Sequence, residues 1–310
     1  MIEVTLLGTS ALLPLPERGL TAATLTCSGR TILFDCGEGT QAAARKAHVS
    51  LMKTDLIALT HYHGDHIFGL PGLLQTMFCL GRTEPLWMVG PQGLREELAP
   101  ILQLTGWTPY PIHLLELPEE GVALSQLAPD WPDGAWLRAY PTVHRVPSQA
   151  YAFTLARAGK FLPQRAETLG VPRNLWGRLQ KGEGVQVDGG NILPEQVLGQ
   201  PRKGLKVVFT GDTTLCDGLL EAEKDADLVI SEATYGENEQ KSLAIEHGHM
   251  NFAQAGETAA LAGAKRLWLT HYSQMIDDPE TYLPNAQAYF PAAECGVDGK
   301  SVTLRFQREE

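Results

Sequence analysis

At 310 residues, with 44% hydrophobic and 20% charged side chains, the chain has the length and balance of a globular protein with a sizeable core. Its formal net charge of −11 excludes a wholly basic nucleic-acid-coating protein, so a phosphate-bearing partner must be met by a local patch or by metal ions. Five cysteines (Cys27, Cys36, Cys79, Cys216 and Cys295) form an odd set without CxxC spacing, which argues against a disulfide framework and fits a reducing cytoplasm. No stretch approaches the roughly 18 consecutive apolar residues of a membrane span. The opening Met1-Ile2-Glu3-Val4 is not followed by a long apolar run, so no signal peptide is expected.

In chain order, short β-branched or apolar runs at 4–7, 31–34, 56–59, 207–209, 228–230 and 267–269 read as strands. Helical patterns cover 41–47, 67–80, 94–102, 215–224 and 252–262. Their alternation predicts an α/β layered domain, with strands in both halves ending in a His- or Asp-bearing loop. Residues 157–206 differ, with frequent Gly and Pro, weak strand signals and a short helix near 163–169. Nine basic residues there face four acidic ones; by composition alone this reads as a solvated surface excursion, and it would also serve as an electrostatic handle for a nucleic-acid backbone.

The densest chemistry is His61-Tyr62-His63-Gly64-Asp65-His66. A loop directly after the strand at 56–59 can present all four polar side chains together, whereas one helix would scatter them. Gly64 frees the backbone to turn between them. Imidazole nitrogen and carboxylate oxygen suit Zn²⁺ or a similar first-row ion. Three more candidates stand at the ends of extended segments: His144 after 139–143, Asp212 after 207–209, and His271 after 267–269. His48 and His113 have no such context and read as structural or solvated. Cys36, between Asp35 and Gly37, reads as strand-end packing rather than a nucleophile.

The segment His61-x-His63-x-Asp65-His66 matches the HxHxDH signature of metallo-β-lactamase-fold hydrolases. The resemblance implies an αββα four-layer sandwich binding two metal ions. One would be held by His61, His63 and His144, the other by Asp65, His66 and His271, with Asp212 bridging. Two Zn²⁺ per chain are expected, Mn²⁺ and Fe²⁺ being alternatives for the same ligands. Further blocks resemble one branch, the ribonuclease Z family of tRNA 3′-processing endonucleases. They are Leu6-Leu7-Gly8-Thr9-Ser10, Phe34-Asp35-Cys36-Gly37-Glu38-Gly39-Thr40-Gln41, His66-Ile67-Phe68-Gly69-Leu70-Pro71-Gly72-Leu73, Glu232-Ala233-Thr234, His249-Met250-Asn251 and Thr270-His271-Tyr272-Ser273-Gln274.

This second resemblance implies a single domain over 1–310 with a protruding basic arm at 157–203 that grips precursor tRNA. Arg18, Arg173, Arg178 and Lys181 are the candidate substrate contacts. It also implies a cytoplasmic homodimer, in-line attack by water activated between two cations, Asp65 as the base, and His249 paired with Glu232 as proton donor to the departing 3′-oxygen. His247, two residues away, is a rival donor that spacing alone does not eliminate. Departures concern the substrate. Pro14-Leu15-Pro16-Glu17-Arg18-Gly19 stands where the family carries PxKxRN, and Ser231 where it carries the His of HEAT. A small-molecule phosphodiesterase or other ester hydrolase on the same scaffold is therefore the alternative, and a non-catalytic RNA-binding relative the third reading.

Overall fold

The computed structural model describes residues 1–307. Two seven-stranded sheets face one another. The first is built from β1 (Ile2–Gly8), β2 (Ala22–Cys27), β3 (Arg30–Phe34), β4 (Thr54–Ala58), β5 (Leu86–Val89), β6 (Ile112–Leu115) and the late strand β16 (Ser301–Leu304), in the order β16-β1-β2-β3-β4-β5-β6. The second runs β15-β14-β13-β12-β9-β8-β7, from β7 (Val122–Ala123), β8 (Ala135–Pro141), β9 (Gln149–Arg157), β12 (Arg202–Phe209), β13 (Leu228–Glu232), β14 (Leu267–Thr270) and β15 (Ala293–Cys295). A separate two-stranded ribbon pairs β10 (Val185–Val187) with β11 (Gly190–Ile192).

Three apolar layers follow from the strand patterns. Buried residues of both sheets, among them Val4, Leu25, Phe34, Leu137, Phe153 and Phe209, fill the space between them. The opposite faces carry their own apolar residues and are covered by helices. Helices Thr40–Lys46, Leu70–Cys79 and Leu94–Thr105 close the first sheet, while Asp217–Glu223, Phe252–Leu261 and Leu283–Gln287 close the second. Strands buried on both faces read as near-continuous apolar runs, which is how β4 and β13 stand out in the sequence. The layering is the αββα sandwich expected from the metal-loop resemblance.

One expected element is corrected. The pattern at 67–80 is not one helix but a single turn, Gly64–Ile67, followed by Leu70–Cys79. The break comes at Gly69, whose N–H donates to the Cys36 carbonyl at 2.8 Å. A Cβ there would lie 2.2 Å from the Gly37 carbonyl oxygen, so only glycine permits this approach, and Pro71 opens the second helix.

The excursion lies between neighbouring antiparallel strands, since Arg157 at the end of β9 faces Arg202 at the start of β12. It folds around a small core of its own, formed by Ala166, Val171, Leu179, Val185, Ile192 and Val197, with the Phe161 and Trp176 rings 5.2 Å apart. Among the described residues no helix is long and apolar enough to cross a membrane.

Candidate active site

The parallel strands β3–β6 and β12–β15 point their carboxyl ends at one rim of the sandwich, where open α/β sheets place their ligands. From that rim come His61 to His66 after β4, Asp212 after β12, Glu232 at the end of β13 and His271 after β14. His144 arrives from the β8–β9 turn. The cleft at this rim, lined by His63, Asp65, His144, Asp212, His249 and His271 among others, has a volume of about 620 Å³, while His61, His66 and Glu232 are buried and do not line it.

Three overlapping ligand groups form. His61, His63, His144 and Asp212 bring one donor atom each to within 4.8 Å of one another, as do Asp65, His66 and His271, the two groups expected from sequence; Asp212, His249 and His271 make a third. Ring nitrogens approach closely within and beside them: His61 Nε2 to His63 Nδ1 at 3.0 Å, His63 Nδ1 to His144 Nε2 at 3.3 Å, and His66 Nε2 to His271 Nε2 at 3.2 Å. Asp212 reaches both groups, with Oδ2 3.6 Å from His61 and 3.4 Å from His66, and Oδ1 3.2 Å from His271. Oδ1 is buried and receives no hydrogen bond. A carboxylate oxygen left without a donor among five histidines is costly unless a cation compensates it, so these residues fit divalent metal. Burial holds the His61, His63 and His144 imidazoles below their ordinary range, which keeps a lone pair available for coordination.

The outer nitrogens of these rings are held in turn. The Nδ1 of His66 lies 2.7 Å from Asp35 Oδ2, and Asp35 is fixed by the Thr60 N–H and Oγ1, each at 2.8 Å. His144 Nδ1 donates to the Gly248 carbonyl at 2.7 Å, and Thr234 Oγ1 lies 2.9 Å from His271 Nδ1. Such contacts set ring orientation and tautomer. Asp35 was not singled out as a site residue from sequence. The available signal was an acidic residue directly after a strand; the structure holds it in left-handed backbone at φ 52°. Cys36 beside it is fully buried and its thiol is pushed up to about 12 by burial, which leaves it inert.

Asp65 takes a hydrogen bond from the Leu12 N–H on Oδ2 at 2.8 Å, delivered by a left-handed Leu12 at φ 61°. Burial pushes the Asp65 carboxyl up, but the hydrogen bond from His271 and the His66 and His271 charges outweigh it and hold it well below the usual carboxylate range. His249 Nδ1 lies 3.0 Å from Glu232 Oε1, and Glu232 is buried and also accepts from the N–H groups of Thr213, Thr234 and Met250. Burial pushes the His249 imidazole down, yet the Glu232 carboxylate overcomes it and lifts the ring to about 9. His247 instead meets the Tyr235 hydroxyl at 2.5 Å, so the two histidines left open by spacing have different partners.

The basic candidates lie elsewhere. Arg18 does not line the cleft: its Nη2 donates to the Ile276 carbonyl at 2.5 Å and its guanidinium lies 5.8 Å from the Tyr272 ring centre. It ties the loop after β1 to the strand end that carries His271. Arg173 and Arg178 lie on the excursion, paired with Glu167 at 3.1 Å and Glu183 at 2.8 Å, and Lys181 is exposed beside them. A residue missed from sequence is Arg145, which lines the cleft directly after His144.

Residues 25–135 match the metallo-beta-lactamase superfamily, and residues 196–272 match the beta-lactamase superfamily domain. A ribonuclease Z of Lachnoclostridium phytofermentans is 40% identical over 312 residues, with both chains covered in full, and one of Agathobacter rectalis is 38% identical at the same coverage. The crystal structure of the short form of human tRNase Z superposes with a TM-score of 0.67 at 27% identity, covering 98% of this chain and 100% of that one. On full-length similarity and on the fold, the chain belongs to the ribonuclease Z family of the metallo-β-lactamase superfamily.

Proposed function

We propose that the protein is a metal-dependent endoribonuclease that removes the 3′ trailer from precursor tRNA, leaving a 3′-hydroxyl on the tRNA and a 5′-phosphate on the trailer. The observation that carries this reading is the convergence of seven ligand-type side chains and the His249–Glu232 pair at one rim of a ribonuclease Z family chain. His61, His63 and His144 would hold one ion and Asp65, His66 and His271 a second, with Asp212 shared. Two Zn²⁺ suit this mix of imidazole and carboxylate, and Mn²⁺ or Fe²⁺ would accept the same donors. Divalent metal in such a site acidifies water and offsets phosphoryl charge.

The remaining work falls to side chains. Asp65, with Oδ2 steadied by the Leu12 N–H, takes the proton of the attacking water. His249, its Nδ1 engaged by Glu232, keeps Nε2 for donation to the departing 3′-oxygen. The excursion at 157–203, with Arg173, Arg178 and Lys181, serves as the tRNA-gripping arm of a single-domain cytoplasmic chain. The chain works as a homodimer, which light scattering at micromolar concentration checks.

The decisive experiment is an end-mapped digest of a 3′-extended precursor tRNA beside a CCA-ended control. One cut after the discriminator base, lost in Asp65→Ala, is expected. Metal-loaded protein that hydrolyses a small chromogenic phosphodiester but leaves this RNA untouched would transfer the assignment to the small-molecule alternative. Excising residues 161–198 is sterically feasible, because the Gly199 N–H donates to the Lys160 carbonyl at 2.8 Å. That deletion is expected to abolish tRNA cleavage while small-diester hydrolysis survives.

A further inference from the structure

The cleft is polarised. One wall is apolar, formed by Leu12, Leu13, Pro14 and Phe68, with Leu12 and Phe68 about two-thirds exposed and acidic Glu38 beside them. The wall that carries His249 also carries Tyr235, His247 and Arg145. Arg145 is the only Lys or Arg among the described residues lining the cleft. Every other candidate cation is either outside the cleft, as Arg18 is, or on the excursion.

The root of Arg145 is rigid. His144, just before it, is anchored to the Gly248 carbonyl, and Val143 pairs with Thr214. Gly248, at φ 78°, packs so tightly that a Cβ there would lie 2.8 Å from His144 Nδ1 and 3.3 Å from the Arg145 nitrogen. The backbone of Arg145 is therefore held in the same frame as His144, while the residue itself is exposed at the cleft. No hydrogen bond or ion pair engages it among the described residues. Its charge reaches the neighbouring wall: burial and Glu232 push the Tyr235 hydroxyl up, and Arg145 acts against them.

A phosphodiester chain entering a cleft of this kind is drawn to the wall with the guanidinium and away from the wall with Glu38. The direction of the strand follows from the proton donor. His249 faces the 3′-oxygen of the last retained nucleotide, so the retained strand leaves along its wall. Resting on the nuclease reading above, we infer that Arg145 grips the phosphate immediately 5′ of the last retained nucleotide, beside the Tyr235–His247 pair. The apolar wall is left to base or sugar surface. Arg145 is then a positioning residue: it sets where along the strand the scissile phosphate comes to rest.

The test is a cycle between protein and RNA. Precursor tRNA carrying one uncharged methylphosphonate in place of that phosphate is compared with unmodified RNA, using wild type and Arg145→Ala. A charge-assisted hydrogen bond predicts a loss in kcat/KM on the order of 10- to 100-fold for either change alone. Making both changes should add no more than about twofold, and the salt dependence of the Arg145→Ala reaction on unmodified RNA should fall by about one ion. Arg145→Lys should recover part of the rate on unmodified RNA only. Bound metal measured on each variant separates a disturbed His144 from a lost phosphate contact. Losses that multiply, or a wild-type enzyme indifferent to the neutral linkage, would overturn the inference while leaving the nuclease reading intact. A wild-type enzyme that does not cut the unmodified precursor overturns both.

Discussion

Glu223, at the end of the helix Asp217–Glu223, is fully buried, and neither carboxyl oxygen has a hydrogen-bond partner. Burial pushes this carboxyl from its ordinary 4.5 up to about 8, opposed only by the charge of Lys206. An unfolded chain ionises it near the ordinary value, so between those two pH values the folded chain holds one extra proton. Its contribution to stability is therefore complete below about pH 4.5 and is lost as pH rises through about 8. One proton corresponds to about 1.4 kcal/mol per pH unit, so moving from pH 5.5 to 7.5 should remove about 3 kcal/mol of folding stability. Glu223→Gln keeps the shape and abolishes the titration. Urea unfolding of both proteins at each pH, with equal metal loading, isolates the effect in the difference between them, because every other titrating group is shared. The variant should gain on the wild type by about 3 kcal/mol across that interval. Difference curves that stay flat would refute the reasoning and place an unseen partner on the carboxylate.

Other outcomes follow from the site. Asp35→Asn leaves all seven candidate ligands in place but weakens the hold on His66, so metal affinity should fall roughly 10- to 100-fold in a chelator titration. His249→Ala should lower kcat on precursor tRNA by about 10²- to 10⁴-fold with bound metal unchanged by elemental analysis. Glu232→Gln removes the charge that lifts the His249 ring to about 9, so its pH–rate profile should lose activity first on the alkaline side. Removing the shared carboxylate by Asp212→Ala should cost both ions, giving a near-metal-free protein whose secondary structure by circular dichroism is preserved.

Much of the site was legible from sequence because its densest part is local. A glycine and four ligand-type side chains within six residues, directly after a strand, can meet only if the chain turns there, and β4 with the turn Gly64–Ile67 does so. The apolar runs at 56–58, 207–209, 228–230 and 267–269 within β4, β12, β13 and β14 were legible for a related reason, since those positions are buried on both faces and favour apolar side chains. The split of the 67–80 helix was not legible. It depends on the Gly37 carbonyl, a neighbour about thirty residues away whose approach no periodicity records.

The sequence by itself determined the α/β class, the ligand-type residues and the strand ends on which they sit. Tertiary structure alone decided which partner each one meets. Asp35 turned from a strand-end acid into the anchor of His66, His249 rather than His247 acquired Glu232, Arg18 proved to tie a loop, and Arg145 came to stand alone over the cleft. The physical reason is range. Backbone preference and hydrophobic period act over a few residues, whereas a hydrogen bond or side-chain contact across a closed sandwich joins groups more than two hundred residues apart, and only packing the two sheets brings them within reach.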